Sequence, residues 1–305
     1  MRFSVQLPTE QVERGDELLS GEAVAELSRA AEACGFDACF VTEHPFPPDR
    51  WMQAGGHHAL DPFVALSFAA AATRRILLQT HVLVLPYRNP FLTAKAAASL
   101  DVLSGGRLIL GVAAGYLKGE FRALGVDPAE RNELCDEALR AMKAAWTEDG
   151  VCFEGRHFGA RGNSMRPRPA QRPHPPLWIG GNSRRAIRRA VEHGDGWAPF
   201  PSPAGAAGHA RTAPIESAAE LASRIAFARE LCRAASRSRP LEICFSPPAL
   251  TVFGAGRYDP PALRDEIGAL AAIGVGWLCV GFPAASRAAF RAELERFARE
   301  ILTLV

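Results

Sequence analysis

The chain has no Cys-x-x-Cys pair, no Gly-x-Ser-x-Gly, no basic run and no apolar stretch of membrane-spanning length. Each absence removes a class of function. The seven cysteines (34, 39, 135, 152, 232, 244 and 279) are odd in number, and Cys39, Cys244 and Cys279 sit inside apolar runs. They read as reduced, mostly buried thiols of a cytoplasmic protein, not as a disulfide framework. Without Gly-x-Ser-x-Gly there is no nucleophile elbow of a serine hydrolase. The net charge is only +2 and the arginines are spread along helical patterns, which gives no electrostatic case for nucleic acid. No segment is apolar enough to span a bilayer. The N-terminus opens directly on an apparent strand, Phe3 to Leu7, with no charged head and apolar h-region, so no signal peptide is expected. His57 and His58 lack a carboxylate at metal-ligand spacing and read as loop histidines, so no metal is expected.

What is present is a large apolar fraction, 48% hydrophobic against 22% charged over 305 residues, enough for a substantial core. One stretch organises the rest. Leu177 to Ile179 is a short apolar run, followed by Gly180-Gly181-Asn182-Ser183 and then by Ala186, Ile187, Ala190 and Val191 at helical spacing. This reads as strand, glycine turn and helix start, with Asn182 and Ser183 as candidate N-caps. Open N–H groups at a helix start beside a glycine turn suit a phosphate, and Arg184 and Arg185 add positive charge. An ordinary strand-to-helix turn would look the same, so the remainder of the chain has to decide.

From the N-terminus, Phe3 to Leu7 is followed by a helical pattern over Glu22 to Ala33, then by a strand, Phe36 to Val41, ending in Thr42-Glu43-His44. The Pro-rich segment Pro45 to Asp61 reads as a loop and contains Trp51. A helix over Asp61 to Thr73 leads to a third strand, Ile76 to Leu85, interrupted by Thr80-His81. Polar residues in such a strand need a partner or a ligand. A helix from Asn89-Pro90 to Leu103 precedes a fourth strand, Arg107 to Ala113, which ends in Ala114-Gly115-Tyr116. Helices follow at Lys118–Leu124 and Ala129–Thr147. Residues 148–175 interrupt the rhythm with a small hairpin, Val151 to Phe158, turning at Glu154-Gly155. Strands resume at Leu177, at Gly194–Ala198, at Leu241–Phe245 and at Gly276–Gly281, separated by helices over Ser217–Ala235, up to Ile273, and over Ser286–Leu302. Pro199 to Pro214 is rich in Pro, Gly and Ala and reads as a mobile lid.

Eight strands alternating with helices predict one (β/α)8 TIM barrel over residues 1–305, with an insertion between strands four and five. The active site of that fold lies at the C-terminal strand ends. His44, Thr80-His81, Gly111 to Tyr116 and Gly180 to Ser183 all occupy such ends and should ring one mouth. Their convergence favours the phosphate reading of the glycine turn.

Several pieces taken together resemble the bacterial luciferase-like superfamily of flavin- and deazaflavin-dependent oxidoreductases, in its coenzyme F420-dependent branch. They are Ala31–Asp37, Thr42-Glu43-His44, Ser104-Gly105-Gly106-Arg107 through Gly115, and Gly180–Ser183 with Asp195-Gly196-Trp197. The resemblance runs over nearly the whole chain and lies in the order and spacing of these pieces. It implies a barrel that binds F420, or alternatively FMN, in its mouth. It implies that Gly180, Gly181, Asn182 and Ser183 hold the cofactor phosphate. Thr80, His81 and Val82 would line the ring, with a non-proline cis peptide placed at His81–Val82. Gly111, Ala113, Ala114 and Gly115 would let the ring approach the backbone. It also implies a homodimer. Where Tyr116 stands, some F420-dependent sugar-phosphate dehydrogenases carry an acid, and His44 is followed here by Pro45-Phe46-Pro47-Pro48; that substrate is not assigned.

His44 is the candidate proton donor or acceptor, since imidazole titrates near neutrality; a strand-capping histidine is the plainer alternative. Tyr116 is the second catalytic candidate, as a hydrogen-bond donor or a wall of the pocket. Trp178 and Trp197 read as core. The expected function is F420-dependent hydride transfer to or from a small organic substrate. The alternatives are a two-component monooxygenase that uses reduced FMN and a non-catalytic flavin-binding barrel. Gly111-Val112-Ala113-Ala114-Gly115 superficially matches a dinucleotide-binding turn, but it lacks the third small residue and starts in mid-chain after three β-α units.

Overall fold

The computed structural model describes residues 1–202, 213–247, 250 and 258–304. Its centre is a closed barrel of eight parallel strands: β1 (Arg2–Gln6), β2 (Ala38–Val41), β3 (Leu77–Val84), β4 (Leu108–Ala113), β7 (Leu177–Gly180), β8 (Gly196–Ala198), β9 (Glu242–Phe245) and β10 (Trp277–Val280). Neighbours in the barrel are neighbours in the chain, and β10 closes on β1 with Phe3 opposite Leu278 and Ser4 opposite Cys279. The β5 (Val151–Glu154) and β6 (Gly159–Asn163) hairpin lies in the chain between β4 and β7 and forms its own two-stranded sheet. Residues 155–158 make its turn, so the hairpin read from the sequence over Val151 to Phe158 holds only the first strand and the bend, and the second strand starts later, at Gly159. The carboxylate of Glu137 accepts the amides of His157 and Phe158 at 2.9 and 2.8 Å and holds that bend.

Strand alternation splits the core in two. Phe3, Val5, Cys39, Val41, Leu78, Leu108, Leu110 and Ile179 face the helices in one large cluster. Ala38, Phe40, Ile109, Trp178, Ala198, Cys244, Trp277 and Cys279 fill a second cluster within the barrel. Trp178 and Trp197 are both buried, as expected from the sequence.

The helices are α1 (Asp16–Leu19), α2 (Gly21–Ala33), α3 (Asp49–Gln53), α4 (Pro62–Ala72), α5 (Pro90–Ser104), α6 (Lys118–Ala123), α7 (Arg131–Thr147), α8 (Arg184–His193), α9 (Ala218–Ala234), α10 (Pro260–Ile273) and α11 (Arg287–Phe297). Starts are written in the sequence. Asp61 and Asn89 cap α4 and α5 through their side chains, each with proline in the first turn. Ser20, Ser183, Ser217 and Ser286 cap α2, α8, α9 and α11. The Pro-rich segment after β2 is not all loop, since it holds α3. The proposed lid falls in part on residues 203–212, outside the described residues. Among the described residues no helix is long and apolar enough to cross a membrane.

Candidate active site

The expected residues meet at one end of the barrel. Thr80 Oγ1 donates to Gly111 O at 2.7 Å, joining β3 to β4. The His81–Val82 peptide is cis, as the resemblance implied. Val82 reaches the next two strand ends: a Cβ built on Gly180 would lie 3.2 Å from Val82 Cγ1 and 3.4 Å from Ala113 Cβ. His81, Val82, Ala113, Ala114, Gly115, Tyr116 and Gly181 are only half-buried, and so form the open surface of the mouth.

Gly111 in β4 and Gly115 just after it have reasons inside the protein. A Cβ on Gly111 would sit 2.1 Å from the Thr80 carbonyl oxygen, so β3 and β4 can approach this closely only with glycine there. One on Gly115 would meet Val84 Cγ1 at 2.5 Å, and that residue has φ +74°. His81 points into the barrel, where Gln79 Nε2 donates to its Nδ1 at 3.2 Å and Phe40 packs at 4.9 Å between ring centroids.

The Gly180–Ser183 turn is braced from behind. Trp197 Nε1 donates to Gly181 O at 2.8 Å. Asn182 is fully buried; its amide donates to Phe200 O and Ala213 O and accepts from Phe200 N. Arg224, which sequence reasoning passed over, donates to Asn182 O and Pro214 O at 2.9 Å each. Asn182 thus contributes its side chain to the brace. Ser183 Oγ accepts the Ala186 amide at 3.1 Å, so α8 is capped, while the Arg184 and Arg185 amides have no partner within the helix. Their side chains are engaged elsewhere: Arg184 stacks over Phe227, and Arg185 pairs with Glu133 and Asp136. Among the described residues, what the turn itself offers an anion is backbone N–H groups and the helix dipole.

Across the mouth, His44 stands in an aromatic group: Trp51 at 4.4 Å, His57 at 4.9 Å and Tyr116 at 6.4 Å between centroids. Trp51 comes from α3, so the segment after β2 folds back over its own histidine. Burial and the neighbouring His44 push the His57 imidazole down to about 4. Burial and Glu120 push the Tyr116 hydroxyl up to about 12. Both are uncharged at neutral pH. A second residue that sequence reasoning missed is Glu120 on α6. It is almost fully buried, and its carboxylate lies 3.3 Å from His44 Nδ1, 3.1 Å from the Tyr87 hydroxyl and 3.2 Å from the Phe46 amide. A glutamate in a helix just after Tyr116 was the available signal, but a helix start commonly carries an acid at its surface.

One residue before His44, Glu43 anchors the same strand end. It accepts the Val84 amide at 2.5 Å and pairs with Arg88, which also binds Asp61. Burial raises the Glu43 carboxyl above its usual range, and the Arg88 guanidinium opposes the rise. This ion pair ties the end of β2 to the end of β3 and so holds His44 beside the His81–Val82 turn.

The mouth thus has a glycine-and-helix end, a strand-end floor and a histidine side. The family model for luciferase-like monooxygenases matches residues 1–246. An uncharacterised protein of Mycobacterium tuberculosis is 33% identical over 199 residues, covering 59% of this chain and 68% of its own. The FMNH(2)-dependent dimethylsulfone monooxygenase of Pseudomonas putida is 35% identical over 52% of this chain and 43% of its own. The F420-dependent glucose-6-phosphate dehydrogenase of Beutenbergia cavernae is 36% identical over 55% and 49%. Among solved structures, a monooxygenase from Streptomyces bottropensis superposes with a TM-score of 0.80 at 22% identity, covering 99% of both chains. An F420-dependent secondary alcohol dehydrogenase in complex with an F420-acetone adduct superposes at 0.77 and 18%, covering 100% of this chain and 99% of that one. By its family match and its barrel, the chain belongs to the luciferase-like monooxygenase family.

Proposed function

We propose that the protein is a cytoplasmic oxidoreductase that uses coenzyme F420 for hydride transfer to or from a small organic substrate. The observation that carries this reading is His44, set against Glu120 in the mouth and facing the strand ends. Hydride transfer between a carbon centre and a deazaflavin leaves a proton to be taken up or supplied, and an imidazole at this place can do either. The cofactor supplies the hydride chemistry when bound. Gly180 to Ser183 and the first turn of α8 would hold its phosphate. Thr80 to Val82 and Gly111 to Gly115 would flank its ring. The residues present fit such a group: the helix start has open amides, and no Cβ projects from Gly180 or Gly181.

The uncharged group of Trp51, His57 and Tyr116 supports an uncharged substrate at the His44 wall, since burying a charge there without a partner is costly. Tyr116 serves as wall and hydroxyl donor. A homodimer is part of the proposal. Val64 and Phe68 on α4 and Leu92 and Leu103 on α5 are 50–80% exposed, and adjacent apolar side chains of this kind commonly mark an interface. A sedimentation profile of a monomer at all concentrations would remove that part.

The similarity to the FMNH(2)-dependent monooxygenase favours a second reading, in which reduced FMN occupies the same cleft and oxygen is the co-substrate. A paired titration of apo-protein with F420 and FMN, read by fluorescence at equal ionic strength, separates the two. The expected result is tight binding of F420 alone. Binding of reduced FMN alone moves the protein to the monooxygenases, and binding of neither overturns the phosphate role of Gly180–Ser183.

A further inference from the structure

We propose that Glu120, a carboxylate that also accepts from Tyr87 and the Phe46 amide, is a positioning residue which by its own contact holds His44 as the tautomer protonated at Nδ1. Nε2 is then the atom left for proton exchange in the mouth. The functional consequence rests on the hydride-transfer reading above, but the tautomer itself does not.

As a carboxylate, Glu120 can only accept. Its Oε1 takes the Phe46 N–H at 3.2 Å, and a backbone amide can only donate. Its Oε2 takes the Tyr87 hydroxyl at 3.1 Å. Burial and the adjacent carboxylate push the Tyr87 hydroxyl above its ordinary range, so it stays a donor. The same Oε2 lies 3.3 Å from His44 Nδ1. A bare Nδ1 would set a nitrogen lone pair against a carboxylate oxygen in a site where the Glu120 side chain is 1% exposed and His44 10%. A protonated Nδ1 turns that contact into a charge-assisted hydrogen bond. A neutral imidazole carries one N–H, so Nε2 is bare.

The arrangement is held rigidly. Glu120 comes from α6, Phe46 from the segment after β2 and Tyr87 from the turn after β3, so one carboxylate joins three strand ends. The preceding Gly119 packs against Pro48, and a Cβ there would lie 2.1 Å from Pro48 Cγ, which locks α6 to the segment carrying Trp51.

The step this prepares is balanced. If F420 binds here, it would supply the hydride chemistry, taking the hydrogen and electron pair of a substrate C–H bond, and Nε2 would take the proton of the neighbouring O–H as the carbon–oxygen bond becomes a carbonyl. In reverse, protonated Nε2 returns the proton. Glu120 takes no proton in either direction.

The test is a two-bond 1H–15N correlation spectrum of the 15N-labelled, ligand-free protein above pH 8, with His44 assigned from the signal lost in His44→Asn. The expected wild-type pattern is protonated Nδ1 and bare Nε2. Glu120→Gln should convert it to a mixture or to the other tautomer, and Tyr87→Phe should leave it intact. With cofactor and a reactive substrate, Glu120→Gln should lower kcat about 10²-fold, within the range of proton-transfer catalysis, and leave KM within a few-fold; Glu120→Asp should recover part of the loss. A wild-type spectrum with the proton on Nε2, or an unchanged one in Glu120→Gln, overturns the proposal. If Glu120→Gln does not fold, the wild-type spectrum alone decides. If no cofactor binds, the function reading falls while the tautomer is still tested.

Discussion

Two buried carboxylates flank His44, one on each side, and they are held by opposite kinds of partner. Glu43 faces Arg88, a guanidinium that stays charged at any working pH, with the Val84 amide as its other donor. Glu120 faces an imidazole and a phenol, and the phenol stays a donor. The first arrangement is a tie between β2 and β3 made with a fixed positive charge. The second is a tie that ends on the candidate proton-exchanging histidine. Burial is nearly complete at both glutamates, so burial does not separate them. What separates them is whether a partner can exchange a proton, and that is the useful criterion for reading this barrel's polar interior.

The comparison breaks most visibly at Arg88. Replacing it with alanine leaves Glu43 buried beside no cation, and loss of one partner of a buried pair costs about 3–5 kcal/mol. Chemical denaturation should register that loss, with any folded remainder still binding cofactor. A variant as stable as wild type would mean that Glu43 takes up a proton without consequence and that the tie is dispensable. His44→Asn should show the reverse profile. It keeps a donor toward Glu120, so stability should fall by no more than about 1–2 kcal/mol, while turnover falls roughly 10²–10⁴-fold. Steady-state kinetics with the cofactor that binds would check it; full turnover would assign His44 to capping alone.

The barrel was legible in the sequence because its signals are local. Strand runs recur eight times, with glycine stops and Asp, Asn and Ser caps at many of the helices between them, and each is set by residues within a few positions. The site was legible where it lay on strand ends: His44, Thr80 to Val82, Gly111 and Gly180 to Ser183 gather as the alternation required. Glu120 was not legible, because its meaning depends on Phe46 and Tyr87, 74 and 33 positions away, and no periodicity in α6 points to them. Arg224 was missed for the same reason. Arg184 and Arg185 showed charge near the turn, but the pairing of Arg185 with Glu133 and Asp136 is a tertiary fact. The packing that Gly111 and Gly115 also serve, where a Cβ would meet the Thr80 carbonyl oxygen and Val84, was likewise out of reach of the sequence.

The criterion sharpens at His57, which belongs to the same aromatic group and whose Nδ1 lies 2.9 Å from the His58 carbonyl oxygen. Its imidazole sits at about 4 in the folded protein against an ordinary 6.5. Between those values the unfolded chain binds a proton that the folded chain does not, so stability is present above about pH 6.5 and is lost as pH falls toward 4. The full loss is up to about 3 kcal/mol, discounted for the partial exposure of the loop. Denaturation midpoints from pH 7.5 to 4.5 should fall for the wild type and fall less for His57→Asn. Parallel curves would show that His57 is solvated and that the wall of the mouth opens to water.

The smallest effect is expected at Ser183, and it separates two roles of the glycine turn. Its Oγ accepts the Ala186 amide and caps α8, so Ser183→Ala should cost about 1 kcal/mol of stability. If the hydroxyl serves only as a cap, cofactor affinity changes little, because the Arg184 and Arg185 amides that would meet the phosphate are untouched. If it also contacts the phosphate, affinity falls by an additional hydrogen bond to a charged group, about 1.5–3 kcal/mol, or at least roughly tenfold in Kd. Ser183→Gly decides between these, since glycine caps a helix nearly as well as serine, within a few tenths of a kcal/mol, and brings no hydroxyl. Stability restored with affinity still lost would place the Ser183 hydroxyl on the ligand; stability and affinity restored together would confine it to the helix.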